Sequence, residues 1–319
     1  MNRLQQESSG QLRIQLEDAL KHLLDCDESG RGATIDSLAG ALGRSRRHAA
    51  EILGHLRGRE LATAAGDAHH LTEDGRLYAL QVVRTHRLYE TWLARETGTP
   101  AADWHREAHK AEHHLEPAAV DALADRLSNP RFDPHGDPIP TREGHLPKRS
   151  LTSLASWPDG QAARIEHVED EPETLFREAE ALGLAPGTRL DGPRHLADGS
   201  LEAQLEGRRI TIPAAIAPLI HVTGPDREDE PPTNLGRLSD LPVGGEAVVY
   251  ALAPSCIGPE RRRLLDLGVV PGTRIRCEFP SPFGSPRSYD IRGALIALRD
   301  HQADRVLIHP PDSPSPPTA

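Results

Sequence analysis

The stretch WHREAHKAEHHLEP, Trp104 to Pro117, holds four histidines and three glutamates in fourteen residues. Imidazole nitrogens and carboxylate oxygens are the lone-pair donors that divalent transition metals take, and the groups that move protons or activate water. On a helix advancing about 100° per residue, His105, His109, Glu112 and His113 share one face. Trp104, Ala108, Ala111 and Leu115 form an apolar stripe beside them, while His114 and Glu107 point away from both. Donors stacked next to an apolar stripe suit a first-row metal, which needs several lone pairs converging at about 2 Å and partly shielded from water. Upstream, HRLYE separates His86 and Glu90 by four residues, so a second helix offers a donor pair on one side. The competing readings are a hydrolytic two-metal centre and a solvated polar face. Catalysis finds no further support, since the chain has no H-E-x-x-H, no G-x-S-x-G and no phosphate-cradling glycine loop.

The elements that must position these residues follow from periodicity. Residues 12–26 carry apolar side chains at helical spacing and stop at Gly30 and Gly32. TIDSLAGALG gives a short helix with Thr34 as N-cap, Gly43 marks a tight turn, and SRRHAAEILGHLRGRELA gives another helix with Ser45 as N-cap. Its apolar face is Ala49, Ile52, Leu53 and Leu56, with Arg46, Arg47 and His48 at its exposed start. Helix, glycine turn and a second helix with a basic beginning is the helix-turn-helix layout, and two short strands around Gly66 and Asp67 would form its wing. From Arg44 to Arg59 five arginines face a single acid, Glu51, a local charge of +4 inside a chain of net charge −11. That overall charge argues against coating nucleic acid with the whole surface, but not against one small basic module. The chain is helical again, in pieces, from Leu77 to Leu127. Proline- and glycine-rich linkers are expected at 128–150 and 223–237, and a disordered tail at the end.

Between and after the linkers lies an internal repeat. LASWPDGQAARIEHV (154–168) matches LSDLPVGGEAVVYAL (238–252), and EAEALGLAPGTRLDG (178–192) matches RLLDLGVVPGTRIRC (263–277). The displacement of 84 to 85 residues implies two copies of a compact β-barrel carrying one helix. At 319 residues, 37% hydrophobic and 27% charged, the chain reads as several globular modules. No apolar run is long enough for a membrane span and the start carries no secretory signal, so membrane insertion is not expected and the cytoplasm is the expected compartment. The three cysteines, Cys26, Cys256 and Cys277, are widely spaced and indicate neither a disulfide framework nor a zinc ribbon.

HRLYE, WHREAHKAEHHL and PHGDPIP together resemble the metal-binding and dimerisation domain of the diphtheria toxin repressor and manganese transport regulator family, which a winged helix-turn-helix precedes. The resemblance covers about residues 12–142. Residues 238–309, with RRRLLDLGVVPGTRI, SPFGSPRSYDIRG and IALRDHQADRVLI, resemble the FeoA domain of ferrous iron transport, and the first repeat resembles the same barrel class.

The resemblance implies a multidomain α+β protein. A winged helix-turn-helix (1–76) would precede an all-α metal-binding and dimerisation domain (77–142), two small FeoA-like β-barrels (150–223 and 236–310) and a tail (311–319). It implies a primary metal site of Asp18, His109, Glu112 and His113, and an ancillary site of His86, Glu90 and His105 with Glu171 or Glu173 from the first barrel. Iron-type members carry cysteine where His109 stands and methionine where Asp18 stands, whereas manganese-type members are acidic at both. A second glutamate of the manganese type would fall at Lys21, which cannot ligate. The implied effector is Mn²⁺ or Fe²⁺, and the implied protein is a homodimeric repressor, not an enzyme, binding palindromic double-stranded operator DNA. Ser45, Arg46, Arg47, His48, Arg57 and Arg59 would meet the DNA. The alternative is a metal-sensing adaptor acting on a metal transporter through its FeoA-like domains.

Overall fold

A computed structural model describes residues 3–147, 149–224, 235–279 and 285–309. The expected tail lies outside these residues, as does most of the expected linker at 223–237. The chain divides into two compact units: Met1–Trp92, Asp103–Asp133 and Asp137–Lys148 form the first, and Leu93–Ala102, Pro134–Gly136 and Arg149–Ala319 the second.

In the first unit, α1 (Arg3–Glu28) is followed by α2 (Ile35–Ala41) and α3 (Arg46–Gly58). Both short helices begin where the sequence offers a hydroxyl. Thr34 accepts from Ser37 N and closes a capping box, and Ser45 accepts from His48 N. Leu16, Leu20 and Leu23 of α1 bury against Leu38 of α2 and Ile52, Leu53 and Leu56 of α3, so periodic leucines of three helices make one core. A two-residue turn, Gly66 and Asp67, joins β1 (Ala62–Ala65) to β2 (Ala68–Leu71) as an antiparallel hairpin. Gly66 takes φ +63° there, which glycine adopts at little cost. Then come α4 (Glu73–Glu96), α5 (Ala101–Glu112) and α6 (Pro117–Arg126). A smaller core of Leu88, Val120, Ala124, Leu127 and Ile139 fixes α6 to α4.

One expectation needs correction here. Trp104 to Pro117 is not one helix, because α5 ends at Glu112 and His113 and His114 lie in the following turn. The next proline is the reason. Glu116 is extended (φ −77°, ψ 150°) ahead of Pro117, the first residue of α6, and α-helical geometry before proline is sterically disfavoured.

The second unit holds two sheets of the same design. With α7 as Glu173–Ala181, the first sheet orders its strands β3 (Thr152–Ser153), β8 (Ile220–Thr223), β4 (Ala163–Val168), β5 (Arg189–His195), β6 (Leu201–Leu205) and β7 (Arg208–Ile212). With α8 as Gly258–Asp266, the second runs β9 (Gly236–Arg237), β14 (Val306–His309), β10 (Glu246–Leu252), β11 (Arg274–Phe279), β12 (Arg287–Ile291) and β13 (Ala294–Leu298), with α9 (Asp300–Ala303) before its last strand. Strand for strand the two orders coincide, and Leu154, Ala163, Ile165 and Leu190 of one core correspond to Leu238, Ala247, Val249 and Ile275 of the other. The expected barrels are not closed. Among the described residues the edge strands do not pair, and bulges in β4 and β5, and in β10 and β11, bend each open six-stranded sheet around its own core.

Candidate metal centre

Two clusters of donors lie in the first unit. Asp18 comes from the middle of α1, His109 and Glu112 from the last turn of α5, and His113 from the turn beyond it. His113 Nε2 lies 3.3 Å from Asp18 Oδ1 and 3.3 Å from Glu112 Oε1, and His109 Nδ1 lies 3.0 Å from Glu112 Oε1 and 4.0 Å from Asp18 Oδ1. Asp18 Oδ1 and His113 Nε2 are buried and neither makes a hydrogen bond of normal geometry, although they face one another. Buried polar atoms rarely stay unmatched. A proton shared across this contact holds the place a cation would take, and the N and O donor set suits a first-row divalent ion.

Glu112 is the hinge of the arrangement. Its carboxylate is fully buried and takes Lys21 Nζ at 3.0 and 3.1 Å on its two oxygens. Burial alone would push this carboxyl up. Hydrogen bonds from His109 and His86, with the charge of Lys21, outweigh that and hold it well below the usual carboxylate range. His113 shows the opposite balance: burial would lower it, but Asp18 and Glu17 raise it to about 9.

The second cluster is joined to the first through Glu112 Oε2, 2.5 Å from His86 Nδ1. The other nitrogen of His86 lies 3.0 Å from Glu90 Oε1 and 3.2 Å from His105 Nδ1, and His105 Nδ1 lies 3.4 Å from Glu90 Oε1. His86 and Glu90 come from one face of α4 and are buried, while His105 on α5 is exposed. One histidine face of Trp104–Pro117 thus serves two clusters, His105 in one and His109 with the end of α5 in the other. Trp104 and Ala108 bury as the apolar stripe requires.

A further participant was not singled out from the sequence. Glu17 is buried, accepts from Tyr78 OH at 2.7 Å and lies 2.6 Å from His113 Nδ1. Holding Nδ1 leaves Nε2 as the nitrogen turned to Asp18, the tautomer-fixing role that outer carboxylates play for ligand histidines. The signal was an acid inside the apolar stripe of α1, three and seven residues before Leu20 and Leu24. Lys21, read as a lost ligand, occupies the centre as the ion-pair partner of Glu112.

Glu171 and Glu173 belong to the second unit and are exposed. Glu173 opens α7 and pairs with Arg177, and neither glutamate joins a donor cluster among the described residues. Ser45, Arg46, Arg47, Arg57 and Arg59 are exposed around α3. Arg46 pairs with Asp36 at 2.5 Å, Arg47 with Glu51 at 3.1 Å, His48 meets Gln15 at 3.1 Å, and Arg59 donates to His55 O at the end of α3.

Comparison with known proteins bears on both units. Residues 72–141 match the family model of the iron dependent repressor metal binding and dimerisation domain, and residues 152–224 and 236–310 each match that of the FeoA domain. By these matches the chain is similar to an iron-dependent-repressor domain followed by two FeoA domains. The iron-dependent repressor IdeR of Mycobacterium tuberculosis is 29% identical over 185 residues, covering 54% of this chain and 80% of that protein. The solved structure of a manganese-dependent transcriptional repressor in complex with manganese superposes with a TM-score of 0.58 at 27% identity, covering 64% of this chain and 99% of the other. A probable metal transport system membrane protein of Chlamydia trachomatis is 35% identical over 72 residues, 23% of this chain and 16% of that one. No helix among the described residues is long and apolar enough to cross a membrane.

Proposed function

We propose that this chain is a cytoplasmic, homodimeric, metal-dependent transcriptional repressor responding to Mn²⁺ or Fe²⁺. The observation that carries the reading is the convergence of Asp18 on α1 with His109, Glu112 and His113 at the end of α5, where Asp18 Oδ1 and His113 Nε2 face each other, buried, at 3.3 Å. Asp18, His109, Glu112 and His113 would hold the activating ion, and His86, Glu90 and His105 the ancillary one. A bound cation would add its charge to that of Lys21 in balancing the Asp18 and Glu112 carboxylates.

The chain's own residues turn that into a switch. Asp18 sits on α1, which shares a core with α3, while His109 and Glu112 sit on α5. Satisfying Asp18 and His113 at once fixes α1 to the end of α5 and thereby orients α3. In this reading α2, α3 and the β1–β2 hairpin are a winged helix-turn-helix, and in a dimer the two α3 helices must match half-sites about one turn of DNA apart. Arg46 and Arg47, with Ser45 and His48, stand at the start of α3 for base-edge or phosphate contacts, and Arg57 and Arg59 for backbone phosphate. Their present partners, Asp36 and Glu51, are exposed and compete only weakly with phosphate. The test is a gel shift of genomic fragments with chelator or with excess Mn²⁺ or Fe²⁺ under anaerobic conditions. Retardation should need metal and be lost in His109→Ala with His113→Ala. Equal retardation with chelator and with metal overturns the reading.

The two FeoA domains, and the similarity to a probable metal transport protein, support a second reading as an adaptor acting on a transporter. Arg46→Ala with Arg47→Ala separates them: a repressor loses its DNA, whereas an adaptor keeps its partner.

A further inference from the structure

The first FeoA repeat carries a donor cluster of its own. His167 near the end of β4 and His221 on β8 are directly opposed across the strand pair, with their Nδ1 atoms 3.3 Å apart. Glu169, just past β4, places Oε1 3.9 Å from each of those nitrogens. Three such separations leave a point about 2.2 Å from all three donors, within the range of metal–nitrogen and metal–carboxylate bonds.

Local structure explains how the three meet. In regular alternation Ala163 and Ile165 face the core and His167 would follow them inward. The bulge between Ile165 and His167 adds a residue, so Val168 takes the buried place and His167 turns to the other face, where His221 already points. Glu169 N donates to Leu219 O at 2.9 Å, which holds its backbone at the end of the same strand pair. The side chains are 12%, 27% and 45% exposed for His167, His221 and Glu169, so the group is held by the sheet yet open to solvent on one side.

The second repeat supplies an internal control. The same bulge recurs between Val249 and Ala251, and the positions matching His167, Glu169 and His221 are Ala251, Ala253 and Leu307. The fold is therefore made without these donors, and their convergence in the first repeat needs a cause other than folding.

We propose that His167, Glu169 and His221 form a third divalent-metal site, separate from the two helical clusters, taking a first-row transition ion. Two imidazoles and one carboxylate with an open side is the donor set of a site that completes its coordination with water or an exchangeable ligand. It places a metal-responsive element on a FeoA domain, and it does not depend on the repressor reading.

The experiment is equilibrium dialysis of the full chain, stripped with chelator, against Zn²⁺ and separately against Mn²⁺, with bound metal counted by elemental analysis. His167→Ala with His221→Leu installs the residues that the second repeat already tolerates, so this variant keeps its fold. It should bind one ion fewer per chain than the parent. Glu169→Gln, at an exposed position, should weaken the same ion at least about tenfold while leaving the others unchanged. A variant lacking both helical clusters, His86→Ala with His109→Ala and His113→Ala, should retain one ion that disappears when His167 and His221 are also replaced. Unchanged stoichiometry in His167→Ala with His221→Leu overturns the proposal, as does a helical-cluster variant that binds no metal. If only the helical ions vanish in their own variant while the third remains, the site stands whatever becomes of the repressor reading.

Discussion

Metal and proton compete for Nε2 of His113. Asp18 and Glu17 raise this histidine from its ordinary value of 6.5 to about 9, so without metal it is an imidazolium at neutral pH, and a metal ion must displace that proton. Apparent affinity at the primary cluster should therefore climb by about tenfold per pH unit and level off near pH 9, which competition titrations against a chelator at a series of pH values will show. The sign for stability is opposite. A folded value above the unfolded one stabilises the metal-free protein fully below pH 6.5, and that contribution disappears as pH rises through about 9. Lys21 makes a second residue-scale prediction. Its ammonium ion bonds both oxygens of Glu112 and would be a positive neighbour to any bound cation. Lys21→Gln should tighten the primary cluster at least about tenfold, because one charge repulsion and one competitor are removed together. The histidines and glutamates of α4 and α5 were singled out in the sequence by residue type and helical spacing, whereas Asp18 entered only through the family resemblance. Glu17 was not, because its role depends on α1 lying against α4 and α5, which periodicity within one helix does not encode.

The existence of helices and strands followed from their apolar periods, but the points where a period breaks did not. Treating Trp104–Pro117 as one helix put His113 on the shared face by angle alone; in fact α5 stops at Glu112, and the turn before Pro117 delivers His113 to Asp18. The bulge in β4 was equally hidden, since an alternating strand gives no sign of which residue is the extra one. A clearer case of an element constrained by its neighbour is Gly136, read from the sequence only as part of a family motif. It sits at φ +95°, and a Cβ there would lie 1.9 Å from Glu166 O, while Val168 N donates to His135 O at 2.9 Å and Arg149 bonds both Gly136 O and Glu166 O. The segment Pro134–Gly136 thus runs against β4 with no room for a side chain. Gly136→Ala should cost about 2–4 kcal/mol through the positive φ and the displaced strand, measurable in denaturant unfolding at unchanged m-value. Gly66→Ala has φ +63° but open space around it and should cost less.

Two compact units, the second with a core for each of its sheets, predict at least two calorimetric transitions, and the donor clusters predict which of them metal moves. Asp18, His86, Glu90, His105, His109, Glu112 and His113 all belong to the first unit, so an ion in one cluster would tie α1 to the end of α5, an ion in the other would tie α4 to α5, and either would be lost on unfolding. At a free metal concentration about a hundred times the dissociation constant, the linkage is about 2.7 kcal/mol, which for a unit of this size is a rise of roughly 5–10 °C. Anaerobic scans with Mn²⁺ or Fe²⁺ against chelator should therefore raise the first unit's transition by that amount, and His109→Ala with His113→Ala should cut the rise. The second unit should respond as well, through His167, Glu169 and His221, and its response should vanish in His167→Ala with His221→Leu while the first unit's shift persists. Assignment of each transition does not need a separate fragment, because Gly136→Ala lowers only the second, to which Gly136 belongs. A scan in which metal moved neither transition would remove the thermodynamic basis for any metal switch in this chain, since a ligand stabilises only the state that binds it.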